Sequence, residues 1–566
     1  VRKIFSAIAI ILGLAALVVG IGQRTIWAPP ETLTASFSQP PAEAPVTLIQ
    51  SGVGTVAGQP AVITINAPGE FTASMIRTSD AEAWVGKAAH TEITGVNAGE
   101  QVLVATSATG EAQVPNPVGS DIFEATEKAD KTMTFHWTSP DAGSWTLLLA
   151  ADGKAAAPTD VSVTWPGDTA TPWSMPLILI GALLVVAGLA AAVVRPKPRG
   201  GSGGGRRSVA RGTEDATGTI PQVPESKGPT TMQKVVATAG VLALVALPST
   251  PALASASPTA SETAKDEAPV FPVVLQSQLE RILEDTAKSV AAADKSKKAA
   301  DLDARTAAAV KTLRTGNYAL RNKDVKLDAP PAIDTSVIRS AAVPTQEKAT
   351  FPRSIMVVTA KDATATTIPM ALTLTQENPR DNYKLVFATP MLPGSTFPGI
   401  AVGDPEVQME AADAEGLIMT PTDALNRLAN VMDDEKSKFA GDFSKSAFLT
   451  LSAKGQADLV KVNKDANITF KRTVNQKDTV VLAVPGGGAL VSGNFTAVTT
   501  AKPKETGGTI GLDAVTAEIT GAKDTKKGIE ITYGEPMLVF IPAEGSKDKV
   551  SIVAAQVMTK GAKLLK

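Results

Sequence analysis

The chain runs to 566 residues, 44% of them hydrophobic, with 54 Lys and Arg against 56 Asp and Glu. Such a length exceeds one compact core and predicts several folded domains, and the composition excludes a disordered tail. With no Cys, disulfides, thiol nucleophiles and Cys-ligated zinc or iron–sulfur sites are excluded, and two lone His leave little for a His-rich metal site.

Arg2 and Lys3 precede an apolar run, Ile4–Ile21, long enough to span a bilayer. A cleaved signal peptide is the rival reading. The run exceeds the usual signal core, and Gln23, Arg24 and Trp27 offer no small-residue cleavage site, so an uncleaved transmembrane helix is expected over 4–22. Residues 28–172 break into short β-branched or aromatic runs: Val46–Gln50, Ala61–Asn66, Glu70–Arg77, Val102–Thr106, Thr132–Thr138, Ser144–Ala150 and Val161–Trp165. Gly, Pro, Asn and Asp punctuate them, which predicts an all-β sandwich ectodomain. Its 16 Asp and Glu against five Lys and Arg would repel nucleic acid.

A second apolar run, 173–194, opens with Trp173 and carries Pro176 in its first turn, where no helical donor is lost. Arg195, Lys197, Arg199, Arg206, Arg207 and Arg211 follow. Lys and Arg resist translocation, so this block predicts a cytoplasmic segment, with the N-terminus inside and 28–172 outside. Ala9, Gly13, Ala16 and Gly20 share one face of the first span, and Gly181, Gly188 and Ala192 one face of the second. Such faces permit close helix packing, or reflect nothing beyond an Ala- and Gly-rich composition. Residues 195–234 read as a basic, Gly-rich cytoplasmic linker. Residues 235–256 read either as a third transmembrane helix or as an internal signal-like segment, cut after Ala254 or Ala256. Both readings carry the rest of the chain outside.

From 269 onward helices precede strands, twice. In 269–412, Val274, Leu275, Leu279, Ile282, Leu283, Ala287 and Val290 mark an amphipathic helix, and Leu302 to Tyr318 a second. Strands are expected at Ser354–Ala360, Pro369–Gln376 and Tyr383–Pro390. In 416–566, Thr422 or Asp423 caps a helix bearing Leu425, Leu428, Val431 and Met432, and helical residues continue near Phe439–Leu451 and Leu459. Strands are expected at Asn467–Arg472, Thr479–Val484, Ala489–Thr499, Gly528–Tyr533, Pro536–Ile541 and Val550–Met558. The expectation is two extracytoplasmic α+β domains, helices on antiparallel sheet, their repeated order pointing to duplication. Over 255–566 the charges balance at 38 basic against 37 acidic, with no excess for a polyanion.

This element order resembles the cone-shaped fold of nuclear-transport-factor-2-like domains, which many exported actinobacterial proteins carry. The layout, with Gly22-Gln-Arg-Thr-Ile-Trp-Ala-Pro-Pro-Glu-Thr32 behind the first span, resembles an uncharacterised family of actinobacterial multi-pass membrane proteins. Some members of such families bear the name glycosyltransferase. The resemblance implies an envelope location and no particular activity.

Catalytic motifs are sparse. The D-x-D of Asp301-Leu302-Asp303 falls in a helical stretch, where side chains two apart point about 200° apart and cannot chelate together. His90 and His136 lack an acid–base partner in the sequence, and the Gly-x-Ser-x-Gly elbow of a serine hydrolase is absent. Ser546 and Lys549 sit in an expected turn, and Gly486-Gly-Gly488 reads as a strand-to-strand turn. Asp121, Glu124, Glu127 and Asp130 read as a solvated acidic edge without a calcium loop. Trp137, Trp145 and Trp165 read as core, leaving Trp84, in Ala81-Glu-Ala-Trp-Val-Gly86, as the candidate ligand-binding residue, an indole able to stack on a sugar.

The reading is a multi-pass plasma-membrane protein without catalytic residues, cofactor or metal. It would scaffold, or bind an envelope protein, lipid or glycan, and not nucleic acid. The alternative is a glycosyltransferase or another envelope-glycan enzyme. A pocket with converging carboxylates, from Asp433, Asp434 or Asp301, would favour the alternative.

Overall fold

The computed structural model describes residues 2–138, 143–194, 270–364, 367–401 and 403–566. The expected linker 195–234 and the segment 235–256 lie outside the described residues. Eight α-helices form among those described: α1 (Arg2–Gly22), α2 (Thr78–Val85), α3 (Ser174–Val193), α4 (Gln276–Ser296), α5 (Ala308–Arg321), α6 (Pro421–Asp433), α7 (Ala447–Val462) and α8 (Ala514–Thr520). The chain divides into two compact units, one holding α1 and α3, the other holding 29–170 together with the chain from 270 onward.

In the first unit α1 and α3 pack antiparallel. Gly20 lies against Ser174 and Ile178, Gly13 against Gly181 and Val185, and Gly188 against Ser6 and Ile10. A methyl group on Gly13 would stand 2.7 Å from the Gly181 carbonyl oxygen, so hydrogen alone fits there. The Ser6 hydroxyl donates to the Gly188 carbonyl. The four glycines expected on the small-residue faces therefore all lie in the contact between the helices, whereas Ala192 is exposed. The outward faces expose Ile4, Ile11, Leu12, Leu179, Leu183 and Val186. Both helices are long and apolar enough to cross a membrane.

The second unit begins with an eight-stranded sheet: β1 (Thr32–Ser36), β2 (Val46–Gln50), β3 (Val62–Arg77), β4 (His90–Asn97), β5 (Val102–Ala108), β6 (Ala125–His136), β7 (Trp145–Ala150) and β8 (Asp160–Pro166). Two separate sheets are not what forms. Seven strands close into a barrel in the order β8–β1–β5–β4–β2–β7–β3 and back to β8, with β6 along the other edge of β3. The cause is β3, which joins the two expected strands 61–66 and 70–77 into one. Val62–Asn66 pairs with β8 and Thr72–Arg77 with β7, so one strand serves both halves of the ring. The Asn66-Ala-Pro-Gly69 stretch, expected as a turn, is instead a shift of register within β3. Pro68 is tolerated at such a bulge because no ladder hydrogen bond is required of it. Ile63, Ile65, Phe71, Ile93, Leu147, Leu149, Trp145 and Trp165 fill the interior.

The remainder is layered. A four-stranded antiparallel meander, β9 (Val337–Ala342), β10 (Arg353–Ala360), β11 (Met370–Gln376) and β12 (Lys384–Pro390), forms one sheet. The other has seven strands: β13 (Gln408–Glu410), β14 (Ala466–Val474), β15 (Val480–Val484), β16 (Gly488–Pro503), β17 (Ile529–Ile541), β18 (Ser551–Ala555) and β19 (Met558–Leu564). Its spine is the antiparallel β16–β17 pair, flanked by β14 and β15 on one edge and by β18 and β19 on the other.

Alternation along these strands divides side chains between three cores. Ile355, Val357, Leu372 and Leu374 face α4, meeting Leu279, Ile282 and Leu283. Met356, Ala371 and Phe387 face the second sheet, meeting Leu490, Leu538 and Val553. Val491, Met537 and Val539 face α6, meeting Leu425, Leu428 and Met432. The two expected α+β domains thus share a buried core between their sheets. The α6 cap is Thr420 rather than Thr422 or Asp423: its hydroxyl accepts the Asp423 amide at 3.2 Å, and Pro421 takes the first helical position.

Candidate functional site

Two places in the second unit concentrate polar chemistry. One is the junction between the ring and the C-terminal half; the other is a cleft beneath α7.

At the junction the ring presents carboxylates and backbone carbonyls, and the C-terminal half presents arginines. Asp121 is 1% exposed and accepts from the Arg305 guanidinium and from the Tyr383 amide at 2.8 Å. From one face of α4, Gln278 donates to the Ile122 carbonyl at 3.0 Å and Arg281 to the Glu124 carbonyl at 2.9 Å, while Ser277 meets the Glu124 carboxylate. Buried Asp80 of α2 accepts from Arg353 at 3.0 Å, and Arg353 also donates to Gln376 at 2.9 Å. Burial opposes the charge on Arg353, but the neighbouring Tyr383 and Asp80 outweigh it and raise its pKa. Burial likewise pushes the Tyr383 phenol up to about 12. Arg380 closes the end of α2, donating to the Trp84 and Val85 carbonyls at 2.8 Å each, where a helix leaves its acceptors open.

This geometry relocates two expectations. Trp84 is 1% exposed, its ring edge-on to Phe123 at 5.6 Å and beneath Arg380, so no indole face is free for a sugar. The acidic edge is solvated only in part. Glu127 and Asp130 are exposed on β6, but Asp121 and Glu124 are contact groups of the junction.

The cleft lies on the α6-facing side of the seven-stranded sheet, where the core runs out. α6 covers that face as far as Arg472. Beyond it the sheet continues as Phe470, Ala497, Thr499 and Tyr533, and α7 stands over it with Leu451, Ser452, Gly455, Gln456 and Leu459. The gap between them measures about 280 Å³. Phe448 and Leu449 hold the start of α7 against the core, and Gln456 donates to the Met432 carbonyl at 2.9 Å, yet no residue of α7 is fully buried. At the inner end Arg472 binds Glu535 twice, at 2.7 and 3.0 Å, and Asp433 at 3.1 Å. Burial, together with the carboxylates of Asp513 and Glu535, raises the Tyr533 pKa and keeps the phenol neutral.

Asp433 and Glu535 therefore converge, but on a guanidinium that occupies both. Asp434 and Asp301 do not join them: Asp434 accepts the Lys436 amide and Asp301 the Ser296 hydroxyl. Asp303 instead pairs with Lys311 at 2.6 Å. His90 bonds the Ala88 carbonyl at 2.9 Å, and His136 ends β6 exposed. Ser546 accepts the Asp548 amide within a turn, and Gly486 and Gly487 turn β15 into β16. Among the described residues no three His, Asp or Glu gather as metal ligands. The cleft escaped sequence reading because Tyr533 and Glu535 belong to strands, and only their register with Arg472 brings them together. Compared with protein-family models, curated proteins and solved structures, the chain matches none.

Proposed function

We propose that the chain is a non-catalytic integral membrane protein of the cell envelope, scaffolding or binding a protein, lipid or glycan partner outside the plasma membrane. The observation that carries this reading is the junction. Residues 29–170 and 270–566 share buried ion pairs, Asp121 with Arg305 and Asp80 with Arg353, so both stretches lie on one side of any membrane. As an antiparallel spanning pair, α1 and α3 deliver 29–170 to one face and Val194 to the other. The chain then returns between Val194 and Val270, where the sequence offers the apolar run Val235–Leu247. The arginines from Arg195 to Arg211 put the intervening segment in the cytoplasm.

The glycan-enzyme alternative draws on Asp433 and Glu535 at the cleft's inner end. It is the weaker reading because Arg472 engages both carboxylates, leaving neither as a free base.

Impermeant labelling of intact spheroplasts tests the assignment, with tags after residue 566 and within 195–234. The expected result is a labelled carboxyl-terminal tag and an unlabelled linker tag. Protection of the carboxyl-terminal tag would remove the envelope-facing function.

A further inference from the structure

We infer that the cleft beneath α7 holds the chain of a neutral single-chain lipid, a hydrocarbon tail ending in an uncharged hydroxyl or ester. The inference rests on the binding reading above and names the class of ligand. Three observations carry it.

The first is apolar surface facing apolar surface across a gap. A surface helix normally presses its apolar stripe onto the core. Here Leu451 is 67% and Leu459 40% exposed, although both line a cleft walled on the other side by Phe470, Ala497 and Val557. The volume of about 280 Å³ stands just under the roughly 300–1,000 Å³ of drug-sized pockets, which suits one slender chain rather than a bulky ligand.

The second is Gly455, in the middle of α7, where glycine weakens a helix. A Cβ built there would meet nothing within 4 Å, so no neighbouring atom demands glycine. Its effect is room, on the cleft-facing side of the helix.

The third is charge. The single guanidinium at the inner end is shared by Glu535 and Asp433, an arrangement with one negative charge in excess. A carboxylate or phosphate brought there would be repelled while losing its water. Lys471 also borders the cleft, but it alternates with Arg472 along β14, which directs its ammonium to the other face of the sheet. What remains for a ligand's polar end is uncharged: the neutral Tyr533 phenol, the Gln456 amide and the Thr499 and Ser452 hydroxyls.

The test uses the full chain in phosphatidylcholine nanodiscs, with monopalmitoylglycerol carrying a diazirine on its acyl chain and palmitate carrying the same group. After illumination, crosslinked peptides are identified by mass spectrometry. The expected result is saturable labelling of α7 and of the 470–472, 497–499 and 533–535 strands, at least tenfold stronger with the monoglyceride than with palmitate. Gly455→Phe should fill the cleft and cut the labelling at least fivefold, with a melting temperature no lower than wild type. Gly455→Ala, which adds one methyl group to the open space, should retain most of it. Labelling absent from these segments, or indifferent to Gly455→Phe in a folded protein, overturns the site. Equal labelling by palmitate overturns the neutral ligand class. The sidedness tags, scored on the same preparation, separate these failures from a failure of the envelope reading.

Discussion

The junction and the cleft both hold charged groups inside protein, and both pair them, yet only the junction is closed. Around Asp121 and Asp80 each ion pair is walled by large side chains, with Trp84, Phe123 and Tyr383 fully buried. Around Arg472 the ion pair is equally well made, but the apolar walls beside it stay open because α7 does not descend onto the sheet. Charge satisfaction is common to both places, so it does not mark function. Apolar surface left uncovered beside satisfied charge does.

The sharpest way to break this contrast is at the junction. Arg305→Ala would leave Asp121 buried with the Tyr383 amide as its remaining side-chain-to-backbone partner across the junction. Removing one member of a buried pair costs about 3–5 kcal/mol. Denaturant unfolding should register that loss, and the paired replacement Asp121→Asn with Arg305→Met should recover much of it. A cost under about 1 kcal/mol would match an exposed pair and mean that the junction is wet.

The second contrast sets two leucines against each other. Leu425 of α6 is fully buried in the core that the cleft continues, and Leu451 of α7 faces the gap. Leu425→Ala should cost about 2–5 kcal/mol and Leu451→Ala no more than about 0.5 kcal/mol. If Leu451→Ala destabilises as strongly as Leu425→Ala, α7 sits on the sheet in solution and the cleft is closed.

The sequence made individual strands and helices legible, because β-branched runs and three-to-four spacing are local signals. Val46–Gln50 was readable to the residue, and α4 and α6 from their leucines. Closure of the ring was not, since it depends on β3 pairing with β7 and β8 along one edge, a matter of register. Nor was the junction. Asp121 and Arg305 stand 184 residues apart and Asp80 and Arg353 273 apart, so an acidic surface read as solvated has its counter-charges in another part of the chain. The burial of Trp84 was illegible for the same reason, because its cover comes from Phe123 and Arg380. For the cleft, periodicity names the apolar face of α7 but does not give its distance from the sheet.

The smallest expected effect lies at Asp513, which caps α8 and whose charge reaches Tyr533 of the cleft. Its carboxylate accepts the Thr516 amide at 3.0 Å and the Thr516 hydroxyl at 2.6 Å. Burial pulls its pKa upward, but these bonds prevail and the pKa falls below the usual 3.8. A carboxylate depressed in the folded state stabilises it above the unfolded pKa, and the contribution is lost as pH falls through the folded value. Asp513→Ala should cost about 1 kcal/mol near neutral pH, as loss of an N-cap does, and the difference from wild type should shrink below pH 4. Asp513→Asn keeps an acceptor for the cap, and should abolish this acid dependence while preserving most of the stability. The same substitution reaches the cleft, because the Asp513 charge helps burial hold up the Tyr533 pKa. Ultraviolet titration of the phenol should therefore shift downward in Asp513→Asn but remain above an ordinary tyrosine, since burial and Glu535 persist. An unshifted titration would show that Tyr533 does not sense Asp513, and with it that the polar end of the cleft is more open to solvent than its walls imply.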